Sequence, residues 1–506
     1  MPCLPTITKQ NGVFEFWIDD HPTLLLAGEL HNSSSSDAHY MEGVWPKLKA
    51  MRLNTVIATV SWELIEPERG CFDFQSVDHL LWGARAAELR LILIWFGTWK
   101  NGQSSYVPGW VKTDPATYFR CRDRQHALTR TISPLCDACV EADAAAFSAL
   151  MTHLQAVDGE QQTVLAVQVE NEVGFYGCDL DCSSAAQAAF QATVPAALTS
   201  ALDVQAGTWR EVFGAQAADY FMSWHFASAV GRIAARGKQV YALPMFVNAW
   251  TVQYDDEHAS FRPSGGPVAQ MLPVWQTAAP MLDGFGADLY QQNLARELTR
   301  YEANGSNPLL LPELRPDRWA AAFILYALGR GALLASTFGI DGLDTRHASP
   351  SGAAIQGVFD TFSAHNPSDA LSQLFSELSG MADVLLTARR EGRVYCLMQD
   401  ALVNDGLNIG AYHLRLTYPH ALEDSQWPGV LLIVEEGDGR FLLMGSSVHV
   451  QLRALDGRFT DFLSIDEGSF AGGSWERKRR LNGDEQHLYF SDKLTLLRVA
   501  VYSIEP

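Results

Sequence analysis

The feature that most constrains this chain is a recurring alternation of short apolar, β-branched runs with longer stretches of helical periodicity. The runs fall at 24–30, 55–62, 91–99, 164–172, 240–250, 282–290, 309–314 and 332–341. Hydrophobicity on consecutive positions is what a strand covered on both faces requires. Between the runs, 40–52, 76–89 and 218–236 space their apolar residues as helices do, and the third stops at Gly237, a residue suited to a helix C-terminus. Strands that alternate with helices in this number favour a closed parallel barrel over an open sheet. The sequence thus predicts an α/β fold, a (β/α)8 TIM barrel, over 1–365.

After Asp341 the pattern changes. Residues 367–391 predict one more helix. From Arg393 onward short strand patterns follow, at 393–399, 410–418, 429–436, 439–445, 449–455, 487–492 and 494–502. Glu436-Gly437-Asp438-Gly439 is a hairpin-turn signal between two of them. These predict a C-terminal all-β, sandwich-like accessory domain over 366–506. No repeat or low-complexity linker separates the two parts, so they are expected to pack together.

In a barrel of this kind the active site forms where the strands end. Nearly every predicted strand here ends in polar or aromatic residues. In order these are Glu29, His31 and Asn32; Trp62 and Glu63; Trp95, Trp99, Lys100 and Asn101; Glu170, Asn171 and Glu172; Asn248 and Trp250; Asp288 and Tyr290; Glu313; and Asp341. Carboxylates and amides hydrogen-bond hydroxyls, and an indole stacks on the apolar face of a sugar ring, so this set suits a carbohydrate. For any single position the mundane reading is commoner, because a lone Glu is usually a surface ion pair or helix cap and a lone Trp is usually core. The weight comes from recurrence across the strands.

Glycoside hydrolysis needs one carboxylic acid to protonate the leaving oxygen and a second carboxylate that attacks the sugar or activates water. Strands four and seven face each other across an eight-stranded barrel. Glu172 and Glu313, at their ends, could therefore share one pocket at the separation of about 5–5.5 Å that gives retention of configuration. Arg315 could donate to Glu313, or could pair with Asp317. Its neighbours in the substrate-binding set predicted here are Glu29, His31, Trp62, Glu63, Trp99, Lys100, Asn101, Asn171, Trp250, Tyr290 and Asp341.

The Val169-Glu170-Asn171-Glu172-Val173-Gly174 segment and Pro312-Glu313 resemble clan A glycoside hydrolases. The resemblance implies Glu172 as acid/base, Glu313 as nucleophile, Asn171 on the sugar 2-hydroxyl and Tyr290 against the nucleophile. Asn54-Thr55-Val56, Trp62-Glu63-Leu64-Ile65-Glu66-Pro67-Glu68-Arg69-Gly70 and Phe72-Asp73-Phe74 are similar to the corresponding segments of family 35 and family 42 β-galactosidases. Gly28 to Ser34 and Phe338-Gly339-Ile340-Asp341-Gly342 resemble a bacterial subgroup of family 35 with a C-terminal β domain. The chain departs from typical family 35 members at strand one, where Glu29 and His31 replace a Gly-Gly…His-Tyr stretch, and at strand three, where Trp99-Lys100-Asn101 replaces a longer aromatic motif.

The resemblance implies a retaining β-galactosidase that releases terminal β-galactose from oligosaccharides, and it allows a homo-oligomer. Another clan A activity, such as a β-glucosidase, β-mannosidase or endo-β-glycanase, is the alternative. A non-catalytic carbohydrate-binding barrel would lack one of the two glutamates, and a metal-dependent hydrolase would need several His and Asp at strand ends.

Other signals narrow the field. A net charge of -21 repels phosphate backbones, so nucleic acid is not an expected partner. No dinucleotide fingerprint or phosphate loop occurs, and neither cofactor nor metal is expected. Cys121, Cys136, Cys139, Cys178 and Cys182 could form a thiolate zinc site, but Cys136 and Cys139 open an amphipathic helix over 137–154, which favours buried thiols. The N-terminus shows no signal-peptide pattern and no apolar run reaches the ~18 residues of a membrane span, so a cytoplasmic location away from membranes is expected.

Overall fold

The computed structural model describes residues 3–252, 261–291, 294–343, 367–399, 406–419 and 428–505. Eight parallel strands form the central sheet. They are β1 (Ala27–Glu29), β2 (Thr55–Ser61), β3 (Arg90–Lys100), β4 (Val164–Asn171), β5 (Met245–Trp250), β6 (Gly284–Asp288), β7 (Leu310–Leu314) and β8 (Leu334–Thr337). Their order is β6-β5-β4-β3-β2-β1-β8-β7, so chain neighbours are sheet neighbours throughout. The two ends meet. The Leu289 N–H donates to the Glu313 carbonyl at 2.8 Å, and the Arg315 N–H donates to the Leu289 carbonyl at 3.2 Å. The sheet is a closed TIM-like barrel.

The strands are apolar on consecutive residues because each has two dry faces. Ile57, Ile92, Ile94, Leu165, Phe246, Leu310 and Leu334 fill the barrel interior together with Phe16 and Ile18. Val56, Ala58, Leu91, Leu93 and Trp95 point the other way, into the layer beneath the helices. Phe16 and Ile18 come from a three-stranded antiparallel sheet, Thr6–Gln10, Val13–Ile18 and His21–Pro22, which the sequence reading did not anticipate. The predicted helix at 40–52 is two short ones, Ala38–Glu42 and Trp45–Ala50, broken at Gly43-Val44. The predicted helix at 137–154 runs on, as Asp137–Asp158.

Behind the barrel, 367–391 forms two helices, Ser368–Gly380 and Ala382–Arg390, that break at Met381. The predicted domain boundary at 365/366 lies outside the described residues. A six-stranded and a four-stranded antiparallel sheet follow. Leu431 and Ile433 face the core between these sheets, whereas Val430, Leu432 and Val434 on the same strand face the barrel. This two-sided burial explains the continuous Val-Leu-Leu-Ile-Val run. The barrel element it meets is Ala320–Gly329, a helix whose residues are nearly all buried. Gly329 sits at the contact, where a Cβ would lie 2.5 Å from the Cys396 Cβ.

The sequence reading missed a long hairpin, Phe459–Ala471 with Ser474–Leu481. It reads as polar because its partners are charged: Arg480 faces Asp466 and Arg479 faces Glu467 across the ladder.

Candidate active site

The site is built on the end of β4. Glu170 and Glu172 both have positive φ, 67° and 43°. Such backbone costs about 1–3 kcal/mol per residue and persists only where the surroundings impose it. Here they do. β3 slips register between Trp95 and Lys100. The Glu170 carboxylate fills the resulting gap and accepts from the Thr98 and Trp99 backbone N–H groups at 3.0 and 2.7 Å. Asp143, from the 137–158 helix, accepts from Trp95 Nε1 at 2.7 Å and Thr98 Oγ1 at 2.6 Å beside it. Burial pushes both carboxyl groups up. Gly97 is required at this place, because a Cβ would fall 2.4 Å from Trp95 Nε1 and 2.5 Å from the Asp143 carboxylate. Glu170 therefore holds the scaffold, and its twist turns the next two residues into the barrel mouth.

Those two residues are then fixed by their backbones. Asn101 N donates to the Asn171 carbonyl at 3.1 Å, and Gly102 N to the Glu172 carbonyl at 3.2 Å. Glu172 N donates to Asn248 Oδ1 at 2.8 Å. The loop beyond is pinned by paired bonds between Phe175 and Ser264 at 2.9 and 3.0 Å.

Within this frame Glu172, Asp288 and Glu313, all buried, each present an oxygen within 4.8 Å of the others. Tyr290 donates to Glu313 Oε2 at 2.6 Å. Burial first, then the Glu313 charge, raises the Tyr290 phenol well above its ordinary range, so it stays a donor. Lys100 can only donate and an ionised Glu313 can only accept. The amide of Asn171 is satisfied when its nitrogen donates to Glu313 Oε1 at 3.2 Å and its oxygen accepts from Lys100 Nζ at 3.0 Å. The Lys100 ammonium also lies over the Phe96 ring, 5.3 Å from its centroid, inside the barrel.

The two glutamates differ in electrostatics. Burial and then the Glu313 charge push Glu172 up to about 8, against the opposing pull of Lys100 and a bond from Asp288. A carboxyl group pushed that far up favours its protonated form at neutral pH. Glu313 instead receives the Tyr290 and Asn171 donors. Glu172 is thus held toward its protonated form, whereas Glu313 faces two donors.

Glu29 is fully enclosed, and neither of its oxygens has a hydrogen-bond partner among the described residues. Burial, then Glu313, raises its carboxyl well above the usual range. Two orphaned acceptors at the mouth suit a pair of sugar hydroxyls. His31 is partly exposed beside it. Its backbone N–H donates to Asp341 Oδ1 at 3.0 Å, its ring Nδ1 lies 3.0 Å from the same oxygen, and Ser34 Oγ donates to Asp341 Oδ2 at 2.7 Å. Asp341 therefore orients His31. Trp250 stacks on Tyr176 with ring centroids 5.7 Å apart at the rim.

Four predicted substrate-binding residues have other partners. Trp62 and Trp99 face the layer between strands and helices; their indoles donate to Glu66 at 2.8 Å and to the Ile132 carbonyl at 2.9 Å. Trp99 lies on the outward side of β3 with Trp95, and Lys100 on the inward side with Phe96. Glu63 makes a half-exposed ion pair with Lys112 at 2.7 Å. Arg315 pairs with Asp317, Nε to Oδ2 at 2.6 Å, and lies 5.7 Å from the centre of the Trp319 ring. Of its two sequence readings, the ion pair is the one seen. Asn248, Asp288 and Tyr176 were not in the predicted set. Asn248 and Asp288 stood at strand ends and could have been included; Tyr176 carried no signal. The cysteines form no group of three within ligand distance among the described residues, so the thiolate zinc alternative gains no support.

Residues 15–259 match the family "Glycosyl hydrolases family 35", and residues 371–491 match "Domain of unknown function (DUF5597)". Human β-galactosidase-1-like protein 3 is 29% identical over 181 residues, which is 35% of this chain and 26% of that protein. A β-galactosidase of Xanthomonas manihotis is 30% identical over 182 residues, 35% of this chain and 27% of that one. The chain thus matches about a quarter of the length of these curated relatives. Among solved structures, β-galactosidase from the psychrophilic Marinomonas ef1 shares the fold, with a TM-score of 0.50 at 13% identity over 71% of this chain and 60% of that chain. Residues 15–259 thus match the glycosyl hydrolase family 35 model, residues 371–491 behind the barrel match the DUF5597 model, and about a third of the chain is similar in sequence to β-galactosidases.

Proposed function

We propose that this protein is a glycoside hydrolase, a retaining β-galactosidase that removes terminal β-galactose from oligosaccharides by double displacement. One observation carries the reading: carboxyl oxygens of Glu172 and Glu313 come within 4.8 Å of each other at the mouth of a single barrel. That spacing fits the close pair of retaining enzymes, about 5–5.5 Å between carboxyl groups, and is shorter than the ~6.5–9.5 Å that leaves room for an attacking water.

In the first step Glu172 gives its proton to the glycosidic oxygen while Glu313 attacks the anomeric carbon, and the bond to the leaving group breaks. In the second step Glu172 takes a proton from water, whose oxygen displaces Glu313 and frees the sugar. Asn171 binds the 2-hydroxyl, Glu29 accepts hydroxyls further round the ring, and the Trp250–Tyr176 pair offers a stacking face beyond it. Galactose is assigned from the related β-galactosidases, and a panel of nitrophenyl glycosides tests it against glucose and mannose.

The mechanism is tested by Glu313→Ala. Turnover should fall by several orders of magnitude, and azide should partly restore it by forming the α-glycosyl azide. Full activity without azide would remove Glu313 from its role.

A further inference from the structure

The double displacement uses two carboxyl groups, yet the pocket holds three within 4.8 Å and a fourth, Glu29, close by. Asp288 is the one without a task. It ends β6, is 2% exposed, and among the described residues its side-chain donor is Asn248, whose Nδ2 donates to Asp288 Oδ2 at 2.7 Å. Asn248 cannot turn away, because its own Oδ1 is occupied by the Glu172 backbone N–H at 2.8 Å. The other oxygen, Asp288 Oδ1, is buried with no donor among the described residues. An oxygen in that position costs free energy unless it carries or receives a proton.

The charges around it decide which. Among the described residues, the charged groups that act on Asp288 are Glu313 from β7, Glu172 from β4, Glu29 from β1 and the cation Lys100 from β3. The buried Tyr301 phenol also responds to Asp288. Four carboxyl groups around one ammonium cannot all be ionised in a dry pocket. Glu313 must be ionised to attack. The proton therefore resides on the groups that do not.

We propose that Asp288 stays protonated and donates a hydrogen bond to the carboxylate that Glu172 becomes once it has protonated the leaving group. Asp288 is then a positioning residue. It gives nothing to the substrate and keeps its own proton throughout. It stabilises ionised Glu172 during the interval in which the glycosyl–Glu313 bond exists, so the spent acid can wait as a base for water. The Asn248 bridge ties its orientation to the Glu172 backbone, so the donor and its acceptor move together. Burial first, then the three neighbouring carboxylates, raises Asp288 well above the ordinary range, and its bond to Glu172 acts in the direction of easing Glu172 ionisation.

This inference rests on the retaining reading for its purpose, but its core can be tested without turnover. The ligand-free protein is labelled with 13C at Asp and Glu carboxyl groups and titrated by NMR, and Asp288→Asn assigns the Asp288 signal. Asp288 should stay protonated at pH 7 while Glu172 titrates near its value of about 8. An ionised Asp288 at pH 7 would overturn the proposal whether or not the protein cleaves galactosides.

Kinetics then read the direction. In Asp288→Ala the Glu172 carboxylate loses its donor, so the alkaline limb of kcat/KM should move up by about one pH unit. In Asp288→Asn, whose amide can donate in the same place, the limb should stay within a few tenths of wild type and kcat within a few-fold. A downward shift in Asp288→Ala would mean that a negative charge had been removed, and would sink the assignment. No shift in either variant would do the same.

Discussion

In the proposed reaction Glu172 is the residue on which most of the chemistry turns, and its titration sets the working range. It must be protonated to release a leaving group, and its value of about 8 lies above the usual carboxyl range. Activity that needs this proton is present below that value and is lost as pH rises through it. A pH profile of kcat/KM on a poorly activated galactoside should show that alkaline limb near 8; a fall already complete at pH 6 would contradict the assignment. Glu172→Gln should slow poor leaving groups about 10²–10⁴-fold more than dinitrophenyl galactosides, which need little acid help, and a leaving-group series measures the difference. At this scale the sequence was informative where strand ends carried carboxylates, since Glu29, Asn171, Glu172, Tyr290 and Glu313 all reach the mouth. It misled on Trp62 and Trp99. Whether a residue near a strand end faces the barrel or the helices depends on which side of the strand it falls, and Trp99 falls on the outward side with Trp95.

The register slip in β3 belongs to the element scale. It is held open by Gly97, by two backbone donors on Glu170 and by Asp143 from the adjacent helix. Gly97→Ala puts a methyl group where three heavy atoms already lie within 2.7 Å. The variant should lose about 1–3 kcal/mol of stability, the usual cost of overpacking, and should lose kcat as well because Lys100 and Asn171 depend on the same segment. Calorimetry and steady-state kinetics on one preparation would show both losses or refute the coupling. The barrel strands were legible because two dry faces leave continuous apolar runs. The 459–481 hairpin and the N-terminal sheet were not, because a strand with a wet face or only five residues leaves too little pattern to separate it from loop.

The barrel and the β domain share one continuous apolar core, with Leu432, Val434, Leu442 and Met444 packed in it alongside barrel residues such as Phe323 and Leu328. Arg389, buried at the same junction, donates to the Leu328 carbonyl, and Arg390 pairs with Glu15 of the N-terminal sheet. Heating should therefore give one calorimetric transition, and Gly329→Val, which drives a side chain into Cys396, should lower its midpoint or split it in two. Two separate transitions in the native protein would show that the domains unfold independently. The junction was legible only as the absence of a linker, since a shared core arises from which faces meet. The barrel seam has a consequence of its own. The carbonyl of Glu313 is the acceptor for the amide of Leu289, so the proposed nucleophile is itself one of the rungs that complete the ring of strands. Any breathing of the ring at this rung would carry the nucleophile away from its target. Amide hydrogens of Leu289 and Arg315 should exchange more slowly once a galactosyl group is trapped on the enzyme, because occupying the pocket latches the ring.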